Sequence, residues 1–177
     1  MQRENMENLS ESIDLRYLLA LLNSKYSNIL LDAIRGDGNI DINPEYIRKI
    51  PVPAISPEEQ NPFIEKADKM LSLNLELQKN VQRFIGRIKE RFGVVKISVA
   101  LESFYELDFK GFVKELAKLK VKLSLKDEDE WEEYFNSYKD DISKLQEQIA
   151  TTDKEIDAAV YQLYGLSEEE ISIVESK

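Results

Sequence analysis

Asp127-Glu128-Asp129-Glu130 sets four carboxylates in a row, and such a run could hold a hard divalent cation through its oxygens. It also stands where a helix begins, and negative charge there suits the helix macrodipole with no ligand at all. Directly after it, Trp131, Tyr134, Phe135 and Tyr138 could stack on bases; at helical spacing they equally face a core. Arg83, Arg87, Lys89 and Arg91 could track a phosphate backbone, or form a solvated helix face. Asn74 could touch a ligand, or set the register of a helical seam. For each of these the plainer reading is structural. Gly36-Asp37-Gly38 reads as a turn, not a phosphate loop.

The chain has 0 His and 0 Cys, so the usual general base, the usual zinc ligands and all thiolate chemistry are missing. The sequence shows no nucleophile–base pair and no metal-ligand cluster. No catalytic residue and no metal site is assigned, and the chain alone is expected not to be an enzyme.

Hydrophobic content of 42% with 33% charged residues, six Gly and five Pro describes a soluble, helix-rich chain of one or two domains. No run approaches the roughly 18 to 20 apolar residues of a membrane span. Neither a membrane nor a signal peptide is expected, and a cytoplasmic location fits the lack of cysteine. The net charge of −10 is unevenly spread. Residues 126–177 carry 5 Lys against 16 acidic residues, whereas Lys79 to Lys122 carries 11 basic against 5 acidic. Only the C-terminal third is a poor place for a phosphate backbone.

The elements that would position these residues are legible from spacing. Leu15, Leu18, Leu19, Leu22, Tyr26, Ile29, Leu30 and Ala33 predict a helix over about 14–34, capped by Asp14 or Ser12 and ended by Gly36. Gly36-Asp37-Gly38-Asn39 predicts a turn, the alternation of Ile40 and Ile42 a short strand, and Pro51 and Pro53 an extended, packed connector. Ser56-Pro57-Glu58-Glu59 is a capping box. It opens a seam of Phe63, Ala67, Met70, Asn74, Leu77, Val81, Phe84 and Ile88 that ends at Gly93. A second seam runs Trp131, Phe135, Tyr138, Ile142, Leu145, Ile149, Thr152, Ile156, Ala159 and Leu163, with Asp127 and Glu130 capping it and Gly165 closing it.

Two such helices in one chain predict a long antiparallel coiled-coil pair, with Met70 or Leu77 against the stretch from Tyr138 to Ile149. A shorter helix after Asp108, carrying Phe109, Phe112, Val113, Leu116 and Leu119, would fold over the tip of the pair. Ser167 and Glu170 start a last helix to Val174. The fold class is therefore mainly α, with a small N-terminal α/β remnant.

Three segments in order carry a resemblance: RYLLALLNSKYSNILLDAI, then NPEYIRKIPVPAISPEEQNPFIEKADKML, then EIDAAVYQLYGLSEEEISIVE. Together they resemble the C-terminal region of type IIG restriction–modification enzymes, which are adenine-specific DNA methyltransferases, including the TaqI-like specificity domain. They are also similar to half of a type I specificity subunit. The resemblance implies that residues 1–55 are the end of a DNA target-recognition domain and 56–177 a helical spacer. It implies a fragment that ends where a longer enzyme ends, with a methyltransferase domain upstream. It also implies double-stranded DNA as the partner and S-adenosylmethionine as a cofactor of the parent enzyme, with none in this chain. Lys25, Arg35, Arg48 and Lys49 would contact the DNA backbone, and a homodimer stays open. Asn43-Pro44-Glu45-Tyr46 departs from the Asn-Pro-Pro-Tyr motif of the methyltransferases, so methyl transfer is not expected here. The rival reading is a free-standing coiled-coil assembly protein with a protein partner, which suits the acidic C-terminal third.

Overall fold

A computed structural model describes residues 13–36 and 43–176, and the chain is mainly α. In order, α1 is Leu15–Asn23, α2 Lys25–Arg35, α3 Pro44–Ile47, α4 Pro57–Phe92 and α5 Val99–Glu102. A 3-10 turn at Phe104–Glu106 leads to α6 Phe109–Lys118, α7 Leu125–Tyr164 and α8 Glu168–Glu175. Among the described residues there is no strand. The alternation of Ile40 and Ile42, the turn through Asn39 and the Ser12 cap lie outside them.

The one helix expected over 14–34 is two. Ser24 sits at φ −66° and ψ 153°, outside the helical region, and its N–H donates to the Leu21 carbonyl at 3.2 Å. Its Oγ accepts from the Ser27 N–H at 3.2 Å. One buried serine thus ends α1 and caps α2, because its hydroxyl offers the backbone an alternative to the helical ladder. The inward face differs too. Tyr17, Ala20 and Leu21 are buried, whereas Leu15 of the expected stripe is 79% exposed.

Elsewhere the capping chemistry follows the sequence. Ser56 and Glu59 exchange bonds at the start of α4, Asp108 accepts from Gly111 N–H at 2.7 Å, and Ser167 with Glu170 forms a capping box. Gly93 and Gly165 take φ +63° and +66° just past the long helices, where glycine is favoured. The start of α7 is a correction. Ser124 is its cap, exchanging bonds of 3.2 Å with Asp127, so Asp127 is the third helical residue and not the cap.

The chain forms two compact units that cut across both long helices: Met1–Leu71 with Ala150–Lys177, and Ser72–Ile149. The sequence division, by contrast, falls at 55/56. In the first unit, Phe63 and Ala67 of α4 pack with Ile156 and Val160 of α7 around Tyr17, Ala20 and Leu21. The connector is tied to them. Tyr17 O–H donates to the Pro53 carbonyl at 2.8 Å, and Tyr164 O–H donates to that of Pro51. Buried Gln60 accepts from Asp14 N–H at 2.9 Å and donates to the Ile55 carbonyl at 3.2 Å. Side chains therefore satisfy carbonyls that the prolines keep out of any ladder.

The second unit is an aromatic core. Phe84 lies 3.7 Å from the Phe104 ring centroid, stacked at 16°, with Tyr134, Phe112, Trp131 and Phe135 around it. Phe92 meets Trp131 at 5.1 Å and Phe84 meets Tyr138 at 5.5 Å, so the two long helices run antiparallel here. Trp131 and Phe135 belong to this core rather than to an exposed stacking surface. Leu77 packs on the same cluster as Tyr138 and Ile142, as its seam position predicts, whereas Met70 belongs to the first unit's cluster with Ile156. Asn74 does not lie in the seam: it is exposed, and its neighbour Leu73 is buried. The short helix α6 buries Phe112 and Leu116 against the pair.

Candidate nucleic-acid interface

The four cations singled out by sequence all lie in the first unit, on α2 and beside α3. Asn43 caps α3 by accepting from Glu45 N–H at 3.0 Å, and Pro44 takes the first helical position, where its missing N–H costs nothing. One turn on, Arg48 pairs with Glu45, and the Lys49 ammonium stands 5.8 Å over the Tyr46 ring. Arg35, in the last turn of α2, pairs with Asp32. Helices α2 and α3 contact each other, so Arg35, Arg48 and Lys49 belong to one region.

Lys25 stands apart. It opens α2, about 15 Å of helical rise from Arg35. Its Nζ lies 2.7 Å from Glu175, and its N–H donates to Asp157 Oδ1 at 2.8 Å. Tyr161 O–H donates to the other oxygen of Glu175 at 2.7 Å. The structure therefore places Arg35, Arg48 and Lys49 on or beside two contacting helices and leaves Lys25 in a separate network that ties α2, α7 and α8. The pairs of Arg35, Arg48 and Lys25 are with solvent-accessible carboxylates. The Lys25 and Arg48 pairs are solvent-exposed on both sides and contribute little to stability, whereas the Arg35 side chain is largely buried.

That network has its own electrostatics. The bond from Lys25 holds the Glu175 carboxyl below the usual range and raises the Lys25 ammonium. Burial pushes Asp157 the other way, above the ordinary carboxylate range, although the Lys25 N–H bond works against it. Burial also raises the Tyr17 phenol to about 12, so it stays a hydrogen-bond donor to Pro53 at any ordinary pH. Sequence reasoning missed Asp157, Tyr161 and Glu175. Their separation from Lys25 by more than a hundred residues left no local signal.

The other candidates are placed as follows. Asp127 of the acidic run is spent on Ser124 and on Arg91, 3.4 Å away, and no group of three or more carboxylates able to hold a metal ion occurs among the described residues. Arg87 pairs with Glu90 at 3.1 Å. Lys89 edges an open groove of about 450 Å³ floored by Leu77, Val81 and Ile85. Among the described residues no helix is long and apolar enough to cross a membrane.

With that geometry in view, comparison with known proteins gives one result. A family model described as Domain of unknown function (DUF8810) matches residues 56–160, more than half of the chain. The chain belongs to the DUF8810 family. Neither a curated protein nor a solved structure matches it. The DUF8810 segment takes in all of α4, α5 and α6 and most of α7, and so the whole aromatic core of the second unit. It leaves out Lys25, Arg35, Arg48 and Lys49.

Proposed function

We propose that this chain is a helical positioning element of a restriction–modification enzyme, holding a DNA target-recognition domain relative to an adenine-specific methyltransferase domain. The observation that carries this reading is the antiparallel packing of a 36-residue and a 40-residue helix, each bonded by a side chain, Gln60 or Tyr164, to a packed proline connector. Each helix spans about 54 to 60 Å at 1.5 Å per residue, a length suited to fixing a separation. The resemblance of three ordered segments to type IIG enzymes supports the DNA partner. Arg35, Arg48 and Lys49 would hold phosphates from one region, with Lys25 as an outlier. Lysine and paired arginine at such places set register on a duplex without reading bases.

The chemistry of such an enzyme would lie elsewhere in it. The purified chain is expected to transfer no methyl group from S-adenosylmethionine to adenine and to cut no DNA, with or without magnesium. Tritium incorporation from labelled cofactor, followed by gel analysis of the substrate, checks both. Methylation that scales with the concentration of the chain and survives repurification would refute the positioning role.

A further inference from the structure

Residues 109–122, FKGFVKELAKLKVK, hold five Lys and one Glu. Helix α6 sorts the first part of this stretch into two faces. Phe112 and Leu116 are fully buried, while Lys110, Lys114 and Lys118 recur every four residues and are exposed. Each step is about 6 Å of rise. Lys120 and Lys122, past the end of the helix, are exposed as well. Lys118 pairs with Glu115, whose other oxygen accepts from Ser98 Oγ–H at 2.9 Å. Lys110, Lys114, Lys120 and Lys122 form no ion pair among the described residues.

Lys120 adds a second observation. It has φ 62°, the one non-glycine residue at positive φ among the described residues. The helix closes around it: Val121 N–H donates to the Leu116 carbonyl at 3.1 Å and Lys120 N–H to that of Ala117 at 3.0 Å. Glycine is favoured at this position, and a side chain there strains the backbone. A lysine therefore stands where local energetics prefer glycine, and it extends the row of exposed charge.

We propose that α6 and the turn after it form a second phosphate-contacting surface, for the backbone of duplex DNA. This rests on the DNA reading above. One duplex strand presents a phosphate every ~3.4 Å of axis, so steps of about 6 Å meet roughly every second one. The apolar face of α6 is committed to the protein's own core, which leaves nothing to insert into a bilayer. Lysines are point charges without the planar fork that reads base edges, so the surface holds any sequence alike.

Electrophoretic mobility shift with the full chain and a labelled duplex, at about 50 and 200 mM salt, tests this. Replacing Lys110, Lys114 and Lys122 together by Glu should weaken binding by more than about tenfold and make the log–log salt slope shallower by about 2.7. The triple Lys→Gln variant, which adds no negative charge, should lose the same slope, and circular dichroism shows whether both remain helical. Lys120→Gly should raise the melting temperature yet weaken binding, a divergence that a structural role would not produce. If the triple variants bind like the parent while Arg48→Glu/Lys49→Glu does not, this surface is refuted and the DNA reading stands. If the parent binds no duplex, both fall. Retention on vesicles containing phosphatidylserine without duplex binding would also overturn the proposal, in favour of a lipid headgroup.

Discussion

Phe84→Ala is expected to lower the stability of the chain by about 3 to 5 kcal/mol, the range for removing a fully buried phenyl ring. Phe84 has no exposed surface, and its neighbours are themselves rigid aromatics: Phe104 stacked at 3.7 Å, Tyr134 parallel at 5.5 Å and Trp131 edge-on at 6.1 Å. Rings have few rotamers with which to fill the space left behind, so the cavity persists and its cost adds to the lost transfer energy. Urea denaturation followed by far-ultraviolet circular dichroism measures the difference. A loss below about 1 kcal/mol would mean that this cluster is not the core of the second unit.

The second large effect concerns Asp157 and separates charge from hydrogen bonding. Burial raises its carboxyl above the ordinary range, so its contribution to folding is most favourable in acid and is lost as pH rises through the folded-state value. At neutral pH the ionised side chain therefore burdens the fold. Asp157→Asn keeps an acceptor for the Lys25 N–H and removes the charge. It should be more stable than the parent at pH 7, and the gain should vanish on approach to pH ~4, the ordinary aspartate value. Asp157→Ala leaves that N–H without its acceptor at a largely buried site, which costs about 1 to 3 kcal/mol. Thermal melts at both pH values rank the three proteins. Asp14, whose carboxyl is held low by Arg16, is common to all three and cancels in the comparison, whereas Glu175, held low by Lys25, also feels the Asp157 charge and is relieved of it in both variants alike. An Asn variant less stable than the parent at pH 7 would show that the negative charge itself is used.

Much of the architecture was legible because it is local. Capping boxes at Ser56 and Ser167 span four residues each, and the helix-ending glycines need only their own backbone freedom. The two seams were readable as long as apolar residues kept their stride. The first failed at Asn74, where the buried position moves to Leu73, whereas Thr152, the polar member of the second, is fully buried as its position predicts. Ser24 was invisible for the converse reason. Apolar residues keep helical spacing across it, so periodicity continues through a cap that only the hydroxyl geometry reveals. The lysine row of α6 was present in the sequence at a four-residue stride. It stood out as a surface only once Phe112 and Leu116 were seen to bury the other face. The network of Asp157, Lys25, Glu175 and Tyr161 depends on long-range packing, which no spacing rule encodes.

The most direct test of the positioning role is fluorescence anisotropy of two labelled duplexes of unrelated sequence, titrated with the full chain at low and at moderate salt. The account predicts weak binding, equal for both sequences and falling as salt rises. If Lys25, Arg35, Arg48 and Lys49 were the sole contacts, the log–log slope would be no steeper than roughly −3.6, from about 0.9 per neutralised phosphate. A slope steeper than that would draw in the lysines of α6. Binding should be clearest at about 20 mM salt, where a Debye length of roughly 20 Å screens the attraction of a local positive surface for phosphates least, in competition with the net charge of −10. Tight preference for one duplex would contradict the account by placing base readout in this chain. No binding to either duplex at the lowest salt would contradict it in favour of a coiled-coil assembly protein.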